Sequence, residues 1–114
     1  MDEEEMDVAV LGSFLEDDCA RMILEATVRE PKAADELVAQ CEASRATVYR
    51  RLDELEDHAL VEVRQQPDAE GHHYKVYAAA LDRVVIDLTP DGIELSLSRR
   101  DQMADRFRRF IEGL

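Results

Sequence analysis

The stretch SRATVYRRLDELEDHALVE, residues 44–62, decides how this chain folds. Ser44 is suited to cap a helix, its hydroxyl placed to accept a hydrogen bond from the amide of Ala46 or Thr47. Behind it Val48, Leu52, Leu55 and Ala59 recur at helical spacing and form an apolar face that other elements of a small domain must cover. The opposite face is polarised along its length. Its first two turns carry Arg45, Thr47, Tyr49, Arg50 and Arg51 with no acid among them, whereas Asp53, Glu54, Glu56 and Asp57 follow.

Such polarity suits a helix that places its N-terminal end in the major groove of DNA and points its acidic end away from phosphate. Arginine's planar fork can engage guanine O6 and N7 together, so Arg45 and Arg50 are the expected base-edge contacts. Ser44, Thr47, Tyr49 and Arg51 are the expected phosphate contacts. A second reading remains at this point: the same polarity lets the helix stabilise itself through Arg/Glu pairs, for example Arg50 with Glu54.

Working back toward the N-terminus, residues 1–7 are mostly acidic and are expected to fray. Val8, Leu11, Phe14 and Leu15 then fall on one helical face, a short helix that packs on the domain or on a partner subunit. Asp17 or Asp18 caps a second helix, with Ala20, Ile23, Leu24 and Val28 as its buried stripe and Pro31 as its stop. From Lys32, AADELVAQC supplies a third helix with Leu37 and Val38 facing inward. The turn Cys41-Glu42-Ala43 then leads to Ser44. The order is helix, turn, helix, with the connection setting how the last helix is presented.

Working forward, Val61 and Val63 alternate with Glu62 and Arg64, and past Pro67-Asp68-Ala69-Glu70-Gly71 the run His72 to Tyr77 returns as a strand. This hairpin reads as a wing. Arg64, Gln65, Gln66, His72, His73 and Lys75 are its candidate backbone or minor-groove contacts, while Asp68 and Glu70 make the tip acidic and favour leaving it in solvent. Val84, Ile86 and Leu88 alternate next, Thr89-Pro90-Asp91-Gly92 makes a turn, and Ile93, Leu95 and Leu97 alternate again. A closing helix from about Arg100 to Glu112 would present Met103, Phe107, Phe110, Ile111 and Leu114 to this second hairpin or to a dimer partner. Arg99, Arg100, Arg106, Arg108 and Arg109 make the region locally basic, for phosphate contact or for pairing with the acidic N-terminus.

The fold class expected is therefore α+β, mainly α: a winged helix-turn-helix over residues 1–81, with an appended β-hairpin and C-terminal helix over 82–114 as a dimerisation module. A chain of 114 residues supports one core. No apolar run approaches the length that spans a bilayer and the N-terminus is acidic, so a cytoplasmic protein is expected, away from membranes.

The stretch from 44 to 62, together with ILEATVREP before it and GHHYKVY after it, resembles the winged helix-turn-helix regulators of the ArsR-like type found in halophilic archaea. The resemblance covers roughly residues 15–81, and it implies a transcription regulator whose partner is double-stranded DNA, bound as a homodimer on an inverted-repeat site. It also bears on charge. With 27 acids, 14 bases and a net charge of −13, the chain carries the wrong overall sign for phosphate, and only Lys32 and Lys75 among its bases are lysines. An acid-rich, lysine-poor surface is what proteins similar to this one carry in molar salt, where the Debye length falls to about 3 Å and local patches decide binding. Many acids also sit upstream of the interface, among them Asp2, Glu3, Glu4, Glu5, Asp7, Glu16, Asp17 and Asp18.

Other chemistry finds little support. Cys19 and Cys41 lie 22 positions apart and are expected as free thiols; the paired-cysteine metal motif that the resemblance would bring is absent. Cys41 at the turn is either an oxidisable thiol or a small apolar filler. His72 and His73 point to opposite faces of a strand and cannot chelate one ion, and His58 reads as a polar residue near a helix end. No metal or other cofactor is expected, and no enzyme, because no phosphate loop, nucleophile elbow or metal-binding histidine pair is present. The rival to DNA binding is a winged-helix protein-interaction module docking on the transcription machinery, for which the face around Arg45, Tyr49 and Arg50 would be dispensable.

Overall fold

The computed structural model describes the backbone of residues 3–100 and side chains from Met6 onward. Its elements are β1 (Glu3–Glu5), α1 (Val8–Glu16), α2 (Asp18–Arg29), α3 (Ala34–Gln40), α4 (Arg45–Asp57), β2 (Val61–Pro67), β3 (His73–Ala79), β4 (Leu81–Thr89) and β5 (Gly92–Arg99). This is a mixed α+β winged helix with a second hairpin. The expected closing helix, with Met103, Phe107, Phe110, Ile111 and Leu114, lies outside the described residues, as do Arg106, Arg108 and Arg109.

The helix starts follow local chemistry. Asp7 accepts from the Ala9 amide, Asp17 from that of Ala20 at 2.8 Å, and Ser44 from that of Thr47 at 3.1 Å, each satisfying a donor the first helical turn leaves open. α2 stops before Pro31, as expected. At the start of α3, where Ala33 has no capping side chain, the Glu36 carboxylate accepts from the Ala33 amide instead.

The end of α4 corrects the sequence reading of Ala59. The helix stops at Asp57, Ala59 turns into the left-handed region at φ 56°, and its side chain is exposed. The Leu60 amide reaches back to the Leu55 carbonyl at 2.8 Å and the Ala59 amide to Glu56 at 2.9 Å, a Schellman closure made without glycine. Leu60 fills the core position that the periodicity assigned to Ala59.

One continuous core joins Leu11 and Phe14 of α1, Ala20 and Ile23 of α2, Leu37 of α3, Val48, Leu52 and Leu55 of α4, Leu60 and Val61, Tyr77 of β3, and Leu95 and Leu97 of β5. Val28, expected inside, is exposed, as are Val8 and Leu15 of the α1 face expected against the domain or a partner subunit. On α2 the buried place next to Val28 belongs to Thr27, whose hydroxyl donates to the Ile23 carbonyl at 2.7 Å and so carries no unmet polar group inward.

The wing sheet, β2 with β3, is antiparallel in the register Val61 with Ala79, Val63 with Tyr77 and Gln65 with Lys75. Lys32, just before α3, adds one bridge to it through paired backbone bonds with Tyr77 at 2.9 and 2.8 Å. In the other sheet, of order β1-β5-β4, Val84 opposes Leu97, Ile86 opposes Leu95 and Leu88 opposes Ile93. The expectation of a frayed N-terminus fails here. Glu3–Glu5 pair with β5, because strand pairing uses backbone groups and β5 offers a free edge.

The two sheets meet at a joint. The Ala80 amide donates to Leu60 at 2.9 Å and the Arg100 amide to Ala80 at 2.7 Å. Arg99 of β5 donates from Nε to the Ala59 carbonyl at 3.0 Å and from NH2 to that of His58 at 3.2 Å, a cation set at the C-terminal end of α4.

Candidate nucleic-acid interface

The first half of α4 carries the candidate surface. Ser44, Arg45, Tyr49 and Arg50 are exposed there, and Thr47 is half-buried. Ser44 spends its hydroxyl locally, donating to Thr47 Oγ1 at 3.0 Å while capping the helix. Arg45 lies over the Tyr49 ring at 5.7 Å and donates to Asp35 of α3 at 2.8 Å. Both partners of that ion pair are well exposed, so it costs little to exchange for a stronger anion such as phosphate.

Arg50 and Arg51 are neighbours with different fates. Arg50 is exposed and makes no ion pair among the described residues; the alternative pairing with Glu54 is not formed. Arg51 takes Glu54 at 2.9 Å and reaches Asp17 with two nitrogens, at 3.0 and 3.2 Å. Arg51, expected at a phosphate, makes a forked carboxylate contact at the start of α2. Asp17, counted among acids upstream of the interface, instead holds the candidate recognition helix from behind.

The Arg51 hydrogen bond is the first cause holding the Asp17 carboxyl below its usual range, with the Ala20 amide adding to it. A depressed carboxylate contributes its full stabilisation above its unfolded pKa, near 4, and loses it only as pH falls through the lower folded value. The anchor therefore survives mild acid.

The wing candidates divide between two faces. Arg64 and Gln66 share one with Tyr74 and Val76, whereas Gln65, Lys75 and His73 share the other with Val63 and Tyr77. Arg64 pairs with Glu62 at 2.7 Å. Lys75 sits over the Tyr77 ring at 5.2 Å and is held above its usual pKa by Tyr77 first, then by the charges of Glu56 and Asp53 on the acidic half of α4. His72 precedes the strand and lies within 3.8 Å of Asp68 and 3.7 Å of Glu70. Asp68 builds this tip: its carboxylate accepts from the amides of Glu70 and His72, and Gly71 supplies the positive φ the turn needs.

Sequence reading overlooked two residues of this surface. Tyr74 is exposed beside Arg64 and Gln66, and strict alternation from Lys75 would have placed it there. Asp35 has no such signal, because its contact with Arg45 is set by the angle between α3 and α4. His58 caps the end of α4, its Nδ1 3.0 Å from the Glu54 carbonyl and its ring edge-on to Phe14 at 5.4 Å. Among the described residues no group of three or more His, Cys, Asp or Glu side chains is arranged to hold a metal ion, and no helix is long and apolar enough to cross a membrane.

Comparison with known proteins agrees with this architecture. The model of one family, described as the HVO_A0261 N-terminal domain, matches residues 13–78, from α1 through most of the wing. Among solved structures, an ArsR-like transcriptional regulator from Rhodococcus sp. RHA1 is similar in fold, with a TM-score of 0.53 and 24% sequence identity. The match covers 63% of this chain and 62% of that one. No curated protein matches the chain.

Proposed function

From a chain that belongs to the HVO_A0261 N-terminal domain family and folds as a winged helix, we propose a sequence-specific DNA-binding transcription regulator. It acts as a homodimer on an inverted-repeat site in a high-salt cytoplasm. The observation that carries this reading is Arg50, solvent-exposed and without an ion pair among the described residues, beside the Arg45–Tyr49 stack on the first half of α4. Arg50 and Arg45 read base edges; Ser44, Thr47 and Tyr49 contact phosphate. From the wing, Arg64, Gln66 and Tyr74 offer one face to the backbone, and the acidic tip stays in solvent.

We read the appended hairpin, with the chain beyond it, as the dimerisation module. The apolar side chains of Ile86, Leu88 and Ile93, exposed on one face, support that assignment. Two recognition helices related by a two-fold axis would meet half-sites about 34–36 Å apart.

The test is retention of a genomic fragment library by the protein in molar KCl, sequencing of what is retained, and a salt titration on the best site. An enriched inverted repeat is expected. Arg50→Ala should weaken binding to that site by about 1–3 kcal/mol and relax preference at one base position. Equal weakening on all sequences would remove base readout. If no sequence is enriched by a folded, dimeric protein, the surface serves a protein partner instead.

A further inference from the structure

Cys19 near the start of α2 and Cys41 in the turn before α4 are 22 residues apart in sequence, yet their sulfurs lie 3.5 Å apart. We infer that they form a reversible disulfide, an oxidation site that fastens the turn of the helix-turn-helix to the scaffold helix α2. Both are free thiols here. A disulfide needs sulfurs about 2.05 Å apart, so closure requires a movement of only about 1.5 Å. The turn from Cys41 to Ser44 lies between two helices and can supply it by side-chain rotation and a small shift.

The two thiols differ as an attacking and a resolving pair should. Cys41 is half-buried and lines, together with Cys19, Met22, Gln40 and Glu42, an open pocket of about 500 Å³, and the Ala43 amide donates to its sulfur at 3.4 Å. Of the two it is the more exposed, so an oxidant can reach it. Cys19 is buried, and burial first, then the neighbouring Cys41 sulfur, pushes its thiol up to about 12. It stays protonated and is not the first to attack.

With a peroxide as oxidant, the Cys41 sulfur attacks one peroxide oxygen. A sulfur–oxygen bond forms, the oxygen–oxygen bond breaks, and the departing hydroxide takes the thiol proton to leave as water. The Cys19 sulfur then attacks the Cys41 sulfur, forming the disulfide and breaking the sulfur–oxygen bond, and the leaving hydroxyl departs as water with the Cys19 proton. Two thiols are oxidised and one hydrogen peroxide is reduced to two waters. A thiol reductant reverses the change.

The linkage stands on the sulfur geometry alone. Its consequence rests on the DNA-binding reading: pulling Cys41 toward α2 displaces the turn that sets the pitch of α4 against α3, so the oxidised and reduced forms present Arg45 and Arg50 differently.

The experiment treats the reduced full chain with a few equivalents of hydrogen peroxide, blocks remaining thiols with N-ethylmaleimide and digests with trypsin. Mass spectrometry should find the peptides 1–21 and 33–45 joined, two hydrogens lighter than their sum, in more than half of the chains and released by dithiothreitol. Mixing isotopically light and heavy protein beforehand should give links within one chain only. Cys41 driven to sulfinic acid with Cys19 still alkylated, or links between chains, overturns the site. On one enriched DNA fragment the oxidised protein should differ in affinity at least fivefold from the reduced, with Cys41→Ser and Cys41→Ala, which lack the attacking thiol, insensitive to peroxide. Equal affinities in the presence of the disulfide overturn the switch. A reduced protein that binds no DNA defeats the DNA reading, while the mass spectrum still decides the linkage.

Discussion

Beyond its base the β2–β3 hairpin carries Arg64, Gln65, Gln66, His73, Tyr74 and Lys75, whereas the β4–β5 hairpin carries Val85, Ile86, Leu88 and Ile93. Both leave the core as antiparallel pairs, and both are anchored by buried residues near their open ends. They differ in the solvent they are built for. The first is polar wherever it leaves the core and can stand in water or against a polyanion without further cover. The second leaves Ile86 56%, Leu88 84% and Ile93 57% exposed, and cross-strand register puts all three on the face that continues from Leu95 and Leu97. An apolar face of that kind is the mark of a surface meant to be covered.

The largest test of this contrast is at the hairpin bases. Leu97→Ala should destabilise the protein by about 2–5 kcal/mol in urea unfolding, because Leu97 is part of the central core. Gln66→Ala on the outer wing should move stability by no more than about 0.5 kcal/mol. A cost below about 1 kcal/mol for Leu97 would mean that the second hairpin is peripheral. Next comes self-association. Leu88→Lys combined with Ile93→Lys should weaken the proposed dimer at least tenfold in sedimentation, since each side chain of this size buried in its interface contributes about 1.5–3 kcal/mol. Gln66→Lys with Tyr74→Lys should leave the dimer unchanged; an unaltered dimer in the first pair would move the interface elsewhere.

The arginines sharpen the contrast at a smaller scale. Arg99→Met removes the donor to the carbonyls of His58 and Ala59 and should cost about 1–2 kcal/mol. Arg64→Met removes an exposed pair with Glu62 and should cost about 0–1 kcal/mol. If the two cost the same, the joint at the end of α4 is not what holds the second hairpin. At that joint Ala59→Gly should stabilise the protein by about 1 kcal/mol, relieving a left-handed backbone at a residue with a Cβ. A loss of stability there would place the strain elsewhere.

What sequence made legible is what is settled within a few residues. Ser44 and Asp17 cap their helices by contacts three residues away, and Thr89-Pro90-Asp91-Gly92 turns through its own composition, so each could be read directly. Ala59 could not, because the helical spacing runs on past Asp57 and the backbone reversal carries no glycine to announce it. Val28 reads as inward by the same periodicity, which counts apolar positions without knowing where neighbouring helices lie. On the candidate interface, the exposed Arg50 was legible from charge polarity, whereas the attachment of Arg51 to Asp17 and of Arg45 to Asp35 depends on helices separated in the chain. The meeting of Cys19 and Cys41 is of that same long-range kind.

The attachment of Arg51 has a mechanical meaning. A helix lying along a groove can still roll about its own axis, and a few tens of degrees of roll would carry a base-reading side chain from one edge to the next. Two bonds from one guanidinium to Asp17, itself fixed at the first turn of α2, act as a key in a slot that stops this rotation. Successive residues are offset by about 100° around a helix, so locking Arg51 toward α2 sets the bearing of Arg50. On the proposed DNA-binding reading, the direction in which Arg50 faces is thereby set by a carboxylate on α2.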